Sequence, residues 1–298
     1  MKAAPRGILP RLCVVVAEGV NMKNKIGVMA GLKENGHCFS QVRDFGLRCC
    51  QLVSWKPELW TARRAFEVRA ESESAGVSMT ALWAGWPGPA RWNFTEGPTT
   101  LGIVPPALRA ERVKALKSAG PFARDLGVPA VITHLGFIPE NAPDPEFRAV
   151  VAAVREIAEH LGSVGLQFWF ETGQETPVTM LRLMQEVGTA NLGINLDPAN
   201  LILYGRGNPV DALDVFGKHV RNVHAKDGLY PTDPMKLGRE VKVGTGRVRW
   251  PEFVRRLGEI GFEGELIIER EISGEEQRRD IADTVAYLEG LLRSGDPH

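Results

Sequence analysis

Four residues with metal-ligand side chains end four consecutive β-rich runs. Glu171 closes Phe168-Trp169-Phe170, Asp197 closes Ile194-Asn195-Leu196, His224 closes Arg221-Asn222-Val223, and Glu269 closes Leu266-Ile267-Ile268. Three carboxylates and one imidazole make an oxygen-rich shell, which suits hard or borderline divalent ions and differs from a thiolate structural zinc site. The expected cofactor is one divalent metal ion, Mn²⁺ first, with Mg²⁺, Co²⁺ or Zn²⁺ as alternatives. An ion that prefers roughly six ligands keeps open positions after four protein donors, room for the adjacent carbonyl and hydroxyl oxygens of a sugar. Taken singly, a Glu or Asp after a strand is ordinarily a helix cap or a solvated loop carboxylate. Three carboxylates and a histidine gathered at one place without a cation would repel one another and raise their pKa values, so a metal is the simplest compensation.

Residues nearly a hundred positions apart converge only on a repeating scaffold. Short β-rich runs occur at residues 26–30, 49–54, 77–84, 130–134, 167–171, 192–197, 220–224 and 265–269. Between them lie helical patterns at 40–45, 57–75, 105–126, 145–161, 177–187, 209–216 and 251–260, with a last one at 274–292. Several open on Pro, whose fixed φ suits a first helical turn, and several end at Gly, as at Gly76, Gly127, Gly188 and Gly261. Eightfold β/α alternation, with no GxGxxG after any strand, predicts an α/β fold that closes as a (β/α)8 TIM barrel rather than an open doubly wound sheet. The barrel is expected to be a single domain over residues 26–298. Residues 1–25 are expected to form an N-terminal extension, with Leu12 to Ala17 as an extra strand or a hairpin at the barrel bottom. The carboxyl ends of all barrel strands share one face, and the four ligand-type residues stand there.

Composition agrees with a soluble globular chain: of 298 residues, 44% are apolar and 24% charged, which leaves disordered, collagen-like and coiled-coil classes without support. Lys plus Arg and Asp plus Glu both number 36, so there is no broad positive field to attract nucleic acid. Cys13, Cys38, Cys49 and Cys50 form no CxxC pair and read as reduced cytosolic thiols. Lys2, Arg6 and Arg11 ahead of Leu12 to Ala17 superficially resemble a signal peptide, but the run is short, follows Pro10 and meets Glu18. No stretch approaches the roughly 20 apolar residues that cross a bilayer. The expected setting is cytoplasmic, with a small sugar or sugar-derived substrate, no nucleic-acid or membrane partner, and either a monomer or a homo-oligomer.

The motifs Phe170-Glu171-Thr172-Gly173, Asn195-Leu196-Asp197-Pro198-Ala199-Asn200, Val223-His224-Ala225-Lys226-Asp227-Gly228 and Ile268-Glu269-Arg270-Glu271 resemble those of the sugar phosphate isomerase/epimerase family, the xylose-isomerase-like TIM barrels. The likeness runs over roughly residues 24–292, the span of the barrel repeat. It implies that Glu171, Asp197, His224 and Glu269 bind the ion, and that Glu171 and Glu269 are also the catalytic acid/base pair on opposite sides of the substrate. Proton removal beside a polarised carbonyl gives an enediolate; returning the proton to the other face epimerises, and returning it to the neighbouring carbon isomerises. The resemblance implies a metal-dependent isomerase or epimerase of carbohydrate metabolism acting on a sugar, ketose or keto-acid. One departure stands out: where ketose 3-epimerases of this family commonly carry a histidine three residues after the metal-binding Asp, this chain has Asn200, a position that often touches substrate.

Further substrate contacts are expected from His134 at the end of the fourth strand, from Lys226 just beyond His224, and from Trp86. The last lies in residues 84–104, a Gly-, Pro- and Trp-rich loop that also holds Trp92 and Phe94 and reads as a lid or substrate wall. Gly244 to Trp250 could receive an anion through backbone N–H groups, although a tight turn with surface arginines is the plainer reading. The same enediolate chemistry also serves a lyase, a dehydratase or a cleaver of oxidised glycosides. An abasic-site endonuclease related to endonuclease IV needs many imidazoles, and the chain has six histidines in all. A sugar-binding barrel without turnover is the remaining alternative.

Overall fold

The computed structural model describes residues 26–35 and 37–294, so the extension or hairpin expected in residues 1–25 lies outside the described residues. The chain alternates strand and helix as the sequence predicts. The strands are β1 (Ile26–Gly31), β2 (Cys49–Ser54), β3 (Ser78–Ala84), β4 (Ala130–His134), β5 (Gln167–Glu171), β6 (Leu192–Leu196), β7 (Val220–Ala225), β8 (Asp227–Leu229), β9 (Arg239–Val241) and β10 (Leu266–Ile268). All but β8 and β9 form one closed parallel barrel in the order β1-β10-β7-β6-β5-β4-β3-β2, and β8 and β9 pair as a separate antiparallel hairpin.

Outside the barrel run α1 (Ser40–Asp44), α2 (Ala62–Ala75), α3 (Gly97–Thr100), α4 (Pro106–Leu126), α5 (Pro145–Ser163), α6 (Pro177–Val187), α7 (Pro198–Leu203), α8 (Pro209–Phe216), α9 (Trp250–Glu259) and α10 (Glu275–Ser294). Four features differ from the sequence reading. The helix expected over 57–75 is divided, because Thr61 Oγ1 accepts from Arg64 N and starts α2 afresh after a 3₁₀ turn at Pro57–Leu59. α3, α7 and the β8–β9 hairpin were not anticipated, each being too short to show a period.

Strand pleating decides what faces the site. Along β5, Phe168 and Phe170 join the large core between barrel and helices, while Trp169 packs with Trp83 and Ile132 in a smaller cluster inside the barrel. The same alternation turns Glu171 inward at the strand end, in register with His134 of β4 and Asn195 of β6. Two register irregularities fall in this ladder, between Cys50 and Leu52 of β2 and between Ile194 and Asn195 of β6. Each adjoins an inward polar residue, Gln51 and Asn195, and both residues are fully buried.

The long loop after β3 is held by Arg112 of α4, which is 0% exposed. Its guanidinium donates to the carbonyls of Pro87, Pro89, Thr100 and Gly102 at 3.2, 2.7, 2.8 and 2.6 Å. It also lies 5.3 Å over the Trp86 ring. No helix among the described residues is long and apolar enough to cross a membrane.

Candidate metal centre and substrate cavity

One ligand atom from each of Glu171, Asp197, His224 and Glu269 lies within 4.8 Å of the others, so these four could hold a metal ion. His224 Nδ1 is 3.2 Å from Glu171 Oε1, 3.2 Å from Glu269 Oε2 and 3.9 Å from Asp197 Oδ2. Asp197 and His224 are fully buried, whereas Glu171 and Glu269 line a cavity of about 300 Å³.

Each side chain is held by its own local device. Asp197 caps α7: its Oδ1 accepts from Asn200 N at 2.9 Å, while Oδ2 is buried without a hydrogen-bond partner and faces the other ligands. Its backbone is fixed by Thr172, whose Oγ1 accepts from Asp197 N and donates to Asp197 O, both at 2.9 Å. His224 Nε2 meets Gln51 Oε1 at 2.8 Å and Asn195 Nδ2 at 3.0 Å, and these contacts turn Nδ1 into the cluster. Glu171 accepts from Trp83 Nε1 and from Asn200 Nδ2, the latter at 3.3 Å. The donor set therefore fits a divalent ion: an orphaned buried carboxylate oxygen, an imidazole nitrogen aimed at the carboxylates, and two more carboxylates within reach.

The charges are arranged in opposition. Burial pushes Glu171 up, but the charges and hydrogen bonds of His134 and His224 reverse this and hold the carboxyl well below the usual range. Burial likewise opposes ionisation of Glu269, and Lys226 and His224 draw it down to about 2. Both groups are carboxylates at neutral pH. His224 is disfavoured as a cation by burial yet raised well above its ordinary value by Glu171 and Glu269. Without a metal, its proton is the cation that the cluster retains.

Of the residues expected to contact substrate, His134, Asn200 and Lys226 line the cavity. His134 Nε2 is 3.3 Å from Glu171 Oε1, and its Nδ1 has no partner. Lys226 is buried and ion-paired three times, with Glu271 Oε1 at 3.0 Å, Glu269 Oε2 at 3.3 Å and Asp197 Oδ2 at 3.7 Å. Trp86 does not reach the cavity; only 2% exposed, it packs behind Trp55, Trp83 and Trp92, and those three line the wall in its place.

The Gly244 to Trp250 turn does bind an anion through its backbone, and the anion is Asp227 of this same chain. Asp227 accepts from the N–H groups of Gly228, Gly244, Gly246 and Val248 at 2.8, 3.0, 3.0 and 3.1 Å. A Cβ on Gly246 would fall 2.0 Å from Asp227 Oδ1, so that close approach requires glycine. Arg247 and Arg249 are exposed, and Arg249 pairs with Glu252 at 2.8 Å.

The sequence reading missed Gln51 and Trp83. Gln51 sits in the run Cys49-Cys50-Gln51-Leu52, where a lone polar residue within a buried strand was the available signal. Trp83 gave none, since an aromatic in a strand is ordinary core.

Comparison with known proteins places this architecture. The xylose isomerase domain protein from Planctomyces limnophilus is 34% identical, with a TM-score of 0.85 over 91% of this chain and 98% of that one. A D-tagatose 3-epimerase-like protein is 20% identical, with a TM-score of 0.70 over 91% of this chain and 98% of its own, which is a likeness of fold. An uncharacterized protein of Methanocaldococcus jannaschii is 30% identical over 184 residues; the match spans 55% of this chain and 60% of that protein, less than two thirds of its length. A family model described as xylose isomerase-like TIM barrel matches residues 39–291, and the chain belongs to that family.

Proposed function

We propose that this chain is a divalent-metal-dependent isomerase or epimerase of an uncharged sugar, acting by proton transfer through an enediolate. The observation that carries this reading is the division within the ligand set: Asp197 and His224 are sealed behind the cavity, while Glu171 and Glu269 face it. The two cavity-lining carboxylates stand at the ends of β5 and β10, which are separated in the barrel by β6 and β7, so they approach a substrate from different sides.

A divalent ion in the four-residue cluster supplies Lewis acidity that makes a C–H beside a carbonyl more acidic. Glu171 and Glu269, both ionised, are poised as bases: one accepts that proton and later releases it to solvent, while the other, protonated from solvent, delivers one to the carbon. Trp83 Nε1 and Asn200 Nδ2 fix Glu171 in place. His134, with Nδ1 unpartnered, is available to a substrate hydroxyl.

The absence of charge on the substrate follows from the cations. Among the described residues Lys226 is the one Lys or Arg lining the cavity, and three carboxylates engage it. The nearby backbone anion cradle is filled by Asp227. Apart from the ion itself, a phosphate would find no free Lys or Arg among the described residues lining the cavity, which favours an unphosphorylated sugar.

The test is incubation of manganese-loaded protein with unphosphorylated 2- and 3-keto sugars in D2O. Deuterium is expected at the carbon beside the carbonyl, in an epimer or isomer of the starting sugar, and Glu171→Gln should slow it by about 10²-fold or more. An eliminated product would assign a lyase instead, and no exchange with any keto sugar would remove the proposal.

A further inference from the structure

The cavity's outer wall is more aromatic than a single reacting sugar requires. From Glu171 outward, Trp83 donates to the carboxylate, Trp55 lies 5.0 Å from Trp83, and Trp92 lies 6.4 Å from Trp55, with near-perpendicular planes in the last pair. Trp83 is 4% exposed, whereas Trp55 and Trp92 are 42% and 41% exposed at the mouth. Large indoles left this open, beside a cavity that already contains the reacting groups, form a binding surface continuous with the site.

The surface is also built. One side of Trp55 rests on the backbone of Gly85, where a Cβ would fall 2.4 Å from Trp55 Cε3, so any side chain at 85 would displace the indole. Trp92 packs at 5.0 Å against His134 and at 6.3 Å against Trp86, which Arg112 covers. Glu271, whose side chain is 60% exposed and pairs with Lys226 at 3.0 Å, lines the same cavity and offers a hydrogen-bond acceptor.

We infer that Trp55 and Trp92 form an outer subsite for the second ring of a neutral glycoside, whose ketone-bearing sugar occupies the inner cavity. This rests on the proposed sugar chemistry of the inner site. An indole face is electron-rich and attracts the C–H edge of an aromatic ring or the C–H face of a sugar ring. The carboxylates at the mouth oppose an anionic second group such as a phosphate or nucleotide.

Titration calorimetry of the manganese-loaded full chain with methyl and phenyl 3-keto-β-D-glucopyranosides tests the subsite. The phenyl glycoside should bind about tenfold more tightly than the methyl one, the gain expected from stacking on two indoles. That ratio should collapse to less than about threefold in both Trp55→Ala and Trp92→Ala. A ratio near one in the wild type, a preference that survives either substitution, or no binding of either glycoside would overturn the inference. The wild-type comparison requires no variant to fold. Deuterium exchange is read separately, so a phenyl preference without exchange keeps the subsite and discards the proposed reaction.

Discussion

Gln51 and His224 meet at 2.8 Å across 173 positions of sequence, and this contact sets which imidazole nitrogen faces the carboxylates. Gln51→Leu removes the acceptor for Nε2–H and frees the tautomer and ring angle. Manganese affinity measured by calorimetry should fall about 10- to 100-fold, with the far-ultraviolet circular dichroism unchanged.

Asp197 has two duties that two substitutions separate. Asp197→Asn keeps an oxygen acceptor for Asn200 N, whereas Asp197→Ala loses the cap of α7 as well. Both should purify without metal. Denaturant titration of the metal-free proteins should place the Ala variant about 1 kcal/mol below the Asn variant.

Metal uptake should release a proton. Because Glu171 and Glu269 raise His224 well above its ordinary pKa, the imidazole is charged near neutrality and must lose that proton before Nδ1 can donate a lone pair. In weakly buffered solution at neutral pH, manganese addition should release about one proton per ion, and affinity should rise with pH.

Glu175 provides a pH dependence of stability. Burial raises its carboxyl to about 7, and Oε2 has no hydrogen-bond partner. A raised folded pKa means that the contribution is fully present below the unfolded value near 4.5 and is lost as pH rises through about 7. The loss is at most about 3 kcal/mol. Glu175→Gln does not titrate, so its stability relative to wild type should increase between pH 5 and 8, as measured by urea unfolding at each pH.

Arg112→Met should loosen the loop that carries Trp92. The four carbonyls that Arg112 now satisfies would lose a charged donor, a cost of about 3 kcal/mol or more. Scanning calorimetry should show a Tm lower by about 6 °C or more, and limited proteolysis should cut first within residues 85–104.

The barrel was legible because its signals are local and repeated: Gln167, Trp169 and Glu171 alternate with Phe168 and Phe170, and proline starts and glycine stops punctuate the helices. The four candidate ligands were legible because a strand end in such a barrel has a known direction. Gln51 was not, since its partner lies on the far side of the barrel circumference. The tryptophans show the same limit: Trp83, Trp86 and Trp92 are close in sequence, yet pleat and loop path put Trp86 behind the wall and the others on it. The Gly244 to Trp250 turn read more plainly as a tight turn with surface arginines than as an anion cradle, and only the folded chain reveals that its N–H groups hold Asp227.

That filled cradle makes the barrel convertible. A residue without a carboxylate at position 227 would leave the N–H groups of Gly244, Gly246 and Val248 turned toward a vacancy next to Lys226, a ready receptor for phosphate. A scaffold of this kind is one substitution away from gaining a backbone seat for a phosphate, with Glu171 and Glu269 untouched.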